Sequence, residues 1–165
     1  MTTEMRILFP AGDPEPNELP DLDEAERMFD DSDSDWSMPE AFLCLVLEAA
    51  FADGEMAAEE RQEIAALVRR CRTMKRLTPE RLAQVNQTVI DRVKADREGS
   101  IKEACRVLPR DMRMSVYTHC MDIVLADRKF RDSEEAFLKK ISDYMGLEDE
   151  TVSIIRKVMF IKNSY

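Results

Sequence analysis

The sequence predicts an all-α protein: a single compact bundle of about seven helices, preceded by an acidic tail. Composition supports this, because only four glycines and seven prolines interrupt 165 residues. The 44% apolar and 35% charged residues give a balance typical of amphipathic helices packed around one core. The length suits a single domain.

The few helix-breaking residues fall between apolar stretches, prolines in predicted first turns and glycines in predicted gaps. These boundary residues are Pro39, Pro79, Pro109, Gly54, Gly99 and Gly146. The predicted helices span about 39–52, 57–73, 79–96, 100–107, 110–126, 132–145 and 148–161.

Hydrophobic periodicity assigns a different environment to each of three helices. The first is apolar nearly all round, which predicts a central buried helix. The second carries a one-sided apolar stripe that includes Ile64 and Leu67. The last helix is predicted to bury one face, formed by Val152, Ile155, Val158 and Met159.

Negative charge is concentrated at the N-terminus. Residues 1–40 contain thirteen acids and two bases, a net charge of −11, whereas the remaining residues sum to +1. Low hydrophobicity with high charge predicts a disordered tail over residues 1–37 and a folded domain over 38–165. A short helical turn is predicted at 21–29, because Leu22, Ala25, Met28 and Phe29 keep helical spacing.

Two interpretations of the tail remain open: a solvated linker, or a clamp that docks on positive charge in its own chain. The clamp would use a basic cluster, defined here as Arg69, Arg70, Arg72, Lys75, Arg76 and Arg81.

The chain contains an internal repeat at a constant offset of 74 residues. Ala52-Asp53-Gly54-Glu55-Met56, followed by Glu60 and Ile64, aligns with Ala126-Asp127-Arg128-Lys129-Phe130, followed by Glu134 and Leu138. The flanking pairs are Phe42 with Val116, Val46 with Cys120, Glu48 with Asp122, and Leu67 with Ile141. The sequence therefore predicts two related helical hairpins joined by the middle helices.

This doubled motif, ending in Met145-Gly146-Leu147, resembles the tellurite-resistance TerB family over about residues 38–160. The resemblance implies a compact helical domain with internal pseudo-symmetry, acidic residues that bind metal ions, and a place in bacterial stress-response and membrane-associated modules. The second unit departs from the pattern, because Arg128 and Lys129 follow Asp127 where the family has Asp-Gly.

The acids of the two units are candidate ligands for a divalent cation such as Ca²⁺, Mg²⁺ or Mn²⁺, which prefer oxygen donors. They are Glu48, Asp53, Glu55, Glu60, Asp122, Asp127 and Glu134. In the structural alternative, Glu60 and Glu134 are capping-box residues, and Met56 and Phe130 are hydrophobic staples. Glu48, a lone acid on an apolar helix, needs a partner in either case, and an arginine would serve as well as a metal.

No arrangement in the sequence predicts an enzyme: there is no GxSxG, no phosphate-binding glycine loop and no HExxH. His119, the single histidine, is interpreted as structural. Cys44, Cys105 and Cys120 lie in apolar stretches and are predicted to be buried thiols. Cys71, beside Arg69, Arg70 and Arg72, is predicted to be an ordinary thiol, with a reactive thiol as the alternative.

Nucleic acid is not a predicted partner, because the chain is strongly acidic and no aromatic residues are interleaved with its basic cluster for bases to stack on. Proteins are therefore the predicted partners. No membrane-spanning stretch or signal peptide is evident in the sequence, so the predicted compartment is the cytoplasm. Two hypotheses follow: a cation-binding stress protein, or a helical adaptor whose acids are only caps.

Overall fold

The computed structural model describes residues 33–164, which form seven α-helices and one short 3₁₀ turn at Met74–Arg76. The helices are α1 (Met38–Ala50), α2 (Ala58–Arg70), α3 (Pro79–Ala95), α4 (Arg97–Val107), α5 (Arg110–Val124), α6 (Asp132–Met145) and α7 (Asp149–Lys162). The all-α prediction and the helix count are confirmed. The predicted helical turn at 21–29 lies outside the described residues.

Helix α1 is the centre of the bundle. Every residue of it except Pro39 and Leu47 is buried, and it packs against α2, α3, α4, α5 and α6. This burial explains why its sequence is apolar nearly all round. Within residues 33–164, no helix is long and apolar enough to cross a membrane.

Two helix boundaries differ from the sequence prediction by three residues. Helix α2 ends at Arg70 rather than at 73, and the chain then turns through the 3₁₀ segment. Helix α4 begins at Arg97 rather than at 100, because the Asp96 carboxylate accepts a hydrogen bond from the Gly99 amide at 2.9 Å. Gly99 therefore lies inside the first turn, where a Cβ would collide with that carboxylate.

The predicted buried face of α7 is right for three of its four residues. Val152, Ile155 and Met159 are buried, but Val158 is 56% exposed. At 100° per residue, Val158 lies at the edge of the stripe formed by the other three, so the packing against α5 does not cover it.

The internal repeat is a structural repeat. Helices α1 and α2 correspond to α5 and α6, and α3 and α4 join the two hairpins. Corresponding core positions are equally buried: Val46 and Cys120 are both 0% exposed, and Leu67 and Ile141 are 2% and 0% exposed. The turn inside each hairpin also repeats, because Gly54 and Arg128 both adopt a positive φ, of 94° and 61°.

Candidate functional site

The turn that follows the first helix of each hairpin is closed by its aspartate. Asp53 Oδ1 accepts a hydrogen bond from the Glu55 amide at 3.1 Å, and Asp127 Oδ1 accepts one from the Lys129 amide at 2.8 Å. A short polar side chain that binds the backbone two residues later stabilises a tight turn. Both aspartates therefore have a local structural role before any ligand is considered.

The glutamate of each unit caps the helix that follows the turn. Glu60 Oε2 accepts a hydrogen bond from the Ala57 amide, and Glu134 Oε2 accepts one from the Arg131 amide, both at 2.6 Å. Both glutamates are 1% exposed. The capping that the sequence predicted for Glu60 and Glu134 is thus present in both repeats.

Arg131 joins the acids of the two repeats. Its guanidinium lies 3.1 Å from Asp53 Oδ2, 2.9 Å from Asp127 Oδ2 and 3.0 Å from Glu134 Oε1. Asp127 and Glu134 belong to the same hairpin as Arg131, whereas Asp53 belongs to the other. One positive charge therefore connects the two hairpins at their turns, and we call Arg131 and the carboxylates around it the Arg131 cluster.

Negative charge exceeds positive charge in this cluster, because Glu60 lies close to the three acids that Arg131 contacts. Burial raises the pKa of Glu60, and the nearby carboxylates of Asp127, Glu134 and Asp53 raise it further. Burial also raises the pKa of Glu134, although the guanidinium of Arg131 acts in the opposite direction. Four carboxylates and one guanidinium carry a formal charge of −3 when all are ionised.

The other three predicted ligands lie apart from the Arg131 cluster. Glu48, 5% exposed, pairs with Arg97 at the start of α4, with Nε and Oε2 2.5 Å apart. Asp122 pairs with Lys162 of α7. Glu55 is exposed on the turn. The partner that burial of Glu48 requires is thus an arginine of the same protein.

Within the described part of the chain, no group of three or more histidine, cysteine, aspartate or glutamate side chains has an arrangement that could hold a metal ion. In the Arg131 cluster, the guanidinium lies among the carboxylates. Sequence reasoning attributed the departure in the second unit to Arg128 and Lys129, but both are exposed. The residue it missed, Arg131, corresponds to Ala57, and that difference at equivalent positions was the available signal.

A groove of about 440 Å³ lies between α5 and the end of α2. Its lining mixes apolar, basic, acidic and polar side chains; the residues are Phe42, Leu67, Arg70, Cys71, Arg72, Thr73, Asp111, Met112, Ser115, Val116, His119 and Asp122. We call it the α2–α5 groove. The ring of His119 meets Phe42 edge-on, with centroids 5.9 Å apart, and burial lowers the pKa of His119.

Three of the four thiols are buried, as the sequence predicts. Cys44, Cys105 and Cys120 are 0% exposed, and burial raises the pKa of Cys44 and of Cys105 to about 12. Burial also raises the pKa of Cys120. Cys71 is half-buried in the wall of the α2–α5 groove. Thiols with raised pKa values are poor nucleophiles, so these three have a packing role.

Comparison with curated proteins and with solved structures finds no match for this chain. A family model, tellurite resistance protein TerB, matches residues 39–157, which include both hairpins and the Arg131 cluster. This match extends over well more than half of the 165 residues. The chain therefore belongs to the TerB family.

Proposed function

We propose that the chain is a non-catalytic helical adaptor of the tellurite-resistance type, active in a stress response through protein partners. In this proposal the doubled acidic motif is structural. The observation that carries it is that six of the seven candidate ligands already have partners in the protein. These acids are Glu48, Asp53, Glu60, Asp122, Asp127 and Glu134.

The α2–α5 groove supports the adaptor role, because its lining combines apolar side chains with two arginines, Arg70 and Arg72, and two aspartates, Asp111 and Asp122. Such a surface suits an amphipathic segment of a partner. Four free cysteines fit the reducing cytoplasm as the compartment. The resemblance to a family found in membrane-associated modules adds a peripheral membrane complex as a setting in which such an adaptor would work.

The test compares thermal unfolding with and without 5 mM Ca²⁺, Mg²⁺ or Mn²⁺, in the wild type and in Asp53→Ala/Glu60→Ala. Loss of a cap, a buried methylene group and an ion pair should cost the variant about 3 kcal/mol. We expect this loss to be the same with and without cation, and the wild-type midpoint to be unchanged by any of the three ions.

The matched control is Glu55→Ala/Glu59→Ala, which removes two exposed acids from the same segment. It should unfold close to the wild type. The structural proposal is refuted if a cation raises the midpoint of the wild type and of the control but not that of Asp53→Ala/Glu60→Ala, since binding only to the folded state stabilises it.

A second candidate function, weak binding of a divalent cation, is favoured by the −3 charge of the Arg131 cluster. A cation would compete with the guanidinium for the oxygens of Asp53, Asp127 and Glu134. The test is an amide NMR titration with Mn²⁺ on the wild type and on Arg131→Met. Broadening centred on residues 53–60 and 127–134, and stronger in the variant, would establish this function. Uniform weak broadening in both proteins would exclude it.

A further inference from the structure

We propose that α7 forms the contact surface of a symmetric dimer, in which the α7 helices of two copies of this chain lie antiparallel. An apolar stripe, a pocket beside the start of the helix and two charges on one edge of the stripe support this inference. The surface is separate from the α2–α5 groove, because none of the residues that line the groove belongs to α7.

The outer face of α7 carries an apolar stripe towards the C-terminal end of the helix. Of the four large apolar side chains that are exposed in the described part of the chain, three belong to α7: Val158, Phe160 and Ile161. Phe160 meets the ring of Phe130 edge-on, with centroids 5.3 Å apart, so it has a partner inside the protein. Val158 and Ile161 are 56% and 59% exposed. With the half-buried Ile154, they recur at a spacing of four and three residues and share one face.

A pocket of about 210 Å³ lies beside the N-terminal end of the same face. Its apolar lining comes from α5, α6 and the start of α7; the residues are Met114, Met145, Leu147 and Thr151. Thr151 precedes Ile154 by three residues, so the pocket borders the stripe. The volume equals about seven water molecules, which leaves room for a branched aliphatic side chain.

The charged groups of the pocket do not oppose an apolar occupant. The guanidinium of Arg113 donates hydrogen bonds to the carbonyl oxygens of Leu108 and Met145, at 3.0 and 2.7 Å, and is therefore held by the protein. Arg110 and Glu148 are exposed and have opposite charges. An aliphatic side chain can thus enter without removing a charged group from its partner.

The exposed side chains and the pocket lie at opposite ends of one face of one helix. Antiparallel pairing of two copies therefore brings Val158 and Ile161 of each copy to the pocket of the other. In the register that places Ile154 of both copies at the two-fold axis, Ile161 lies opposite Leu147. Such a contact is isologous: it forms twice and closes at two copies.

Two charges beside the stripe fit this register. Glu150 and Lys157 are exposed, and neither has a hydrogen bond or an ion pair within the described residues. At 100° per residue, both lie on the same edge of the face centred on Ile154, which is next to the midpoint between them. Antiparallel pairing places Glu150 of each copy opposite Lys157 of the other, whereas parallel pairing would bring like charges together.

The other basic side chains of α7 are already engaged. Arg156 binds Glu135 of α6, and Lys162 binds Asp122 of α5. They therefore do not compete with Lys157 for Glu150. Stable dimers bury about 800 Å² per copy, and one helix face with one pocket offers less. We expect a weak dimer with a Kd on the order of 100 μM, which would carry two α2–α5 grooves.

The experiment is sedimentation equilibrium of the full-length chain between about 5 μM and 1 mM. The weight-average mass of the wild type should rise from 19.1 kDa towards twice that value. Val158→Lys places a charge on the stripe without entering the core, and it should stay monomeric throughout this range. The matched control is Phe51→Ser, which removes a 42% exposed apolar side chain at the end of α1 and should associate as the wild type does.

Charge reversal tests the antiparallel register. Glu150→Lys and Lys157→Glu should each raise the Kd about tenfold, because each turns two attractions into two repulsions. The double variant Glu150→Lys/Lys157→Glu restores both pairs with opposite polarity, so its Kd should return to within about twofold of the wild type. Far-UV circular dichroism of each variant confirms that the helices are intact.

Three outcomes would overturn the proposal. A wild-type mass that stays at 19.1 kDa up to 1 mM would exclude the dimer. An equal loss of association in Phe51→Ser and Val158→Lys would mean that the stripe on α7 is not the specific contact. A double charge reversal that associates as poorly as the single ones would exclude the pairing of Glu150 with Lys157. None of these results changes the cation test, so this proposal and the proposed function fail separately.

Discussion

Truncating the two capping glutamates should have unequal effects, although they occupy equivalent positions. Glu60→Ala and Glu134→Ala each remove a 2.6 Å hydrogen bond to a backbone amide and one buried methylene group. The lost cap costs about 1 kcal/mol and the methylene about 0.8 kcal/mol. Glu134→Ala also breaks the 3.0 Å contact with the guanidinium, for about 1 kcal/mol more. We expect losses of about 2 kcal/mol for Glu60→Ala and about 3 kcal/mol for Glu134→Ala.

The assay is urea unfolding at pH 7, with free energies extrapolated to water. Glu60→Gln and Glu134→Gln are the controls, because glutamine keeps the acceptor and most of the side-chain volume. Both should stay within about 1 kcal/mol of the wild type. A double-mutant cycle with Arg131→Met should show coupling at Glu134 and none at Glu60. Equal losses for the two alanine variants, or coupling of the same size at both sites, would refute this account.

Three further predictions concern pH, backbone strain and thiol access. Burial and three carboxylates raise the pKa of Glu60, so the stability that its protonated form contributes is lost as the pH rises through the folded-state pKa. Glu60→Gln should therefore be more stable than the wild type at pH 7. This gain in the free energy of unfolding should disappear below about pH 4, as measured by paired urea titrations. Gly54→Ala should lose about 1 kcal/mol, whereas Arg128→Gly, which relieves a residue at φ 61°, should lose nothing measurable by thermal unfolding. In the native protein, N-ethylmaleimide should modify Cys71 alone. Cys71→Ala should therefore take up no label until urea exposes the other three cysteines. Labelling of more than one site in the native wild type would contradict the burial of Cys44, Cys105 and Cys120.

Local signals in the sequence were sufficient for the fold. Prolines in first turns, glycines in gaps and the 74-residue offset predict the seven helices and the pairing of α1–α2 with α5–α6. One error arose where a local contact overrides composition, and another where periodicity does not resolve the edge of a buried face. Asp96 caps α4 early by binding the Gly99 amide, although a glycine usually indicates a gap. Val158 lies just outside the arc that α5 covers, a distinction that periodicity alone does not make.

The site was harder to predict because its decisive contact is long-range. Capping by Glu60 and Glu134 follows from a three-residue spacing and is visible in the sequence. The contact of Arg131 with Asp53 joins residues of different hairpins, and only the packing of the turns brings them together. Glu48 likewise meets Arg97 across the bundle. Sequence spacing identified the acidic residues but not the arginines that neutralise them.

Arg131 changes what the doubled acidic motif can do in this protein. In the first hairpin the equivalent residue is Ala57, which leaves Asp53 and Glu60 without a basic side chain of their own. The second hairpin supplies that charge, since Arg131 contacts Asp53 as well as Asp127 and Glu134. A guanidinium with five donors in a rigid plane satisfies several carboxylates at fixed angles. It therefore also fixes how the two turns lie relative to each other. The proposed adaptor would gain from this arrangement, because Arg131 of the chain itself holds the two turns together.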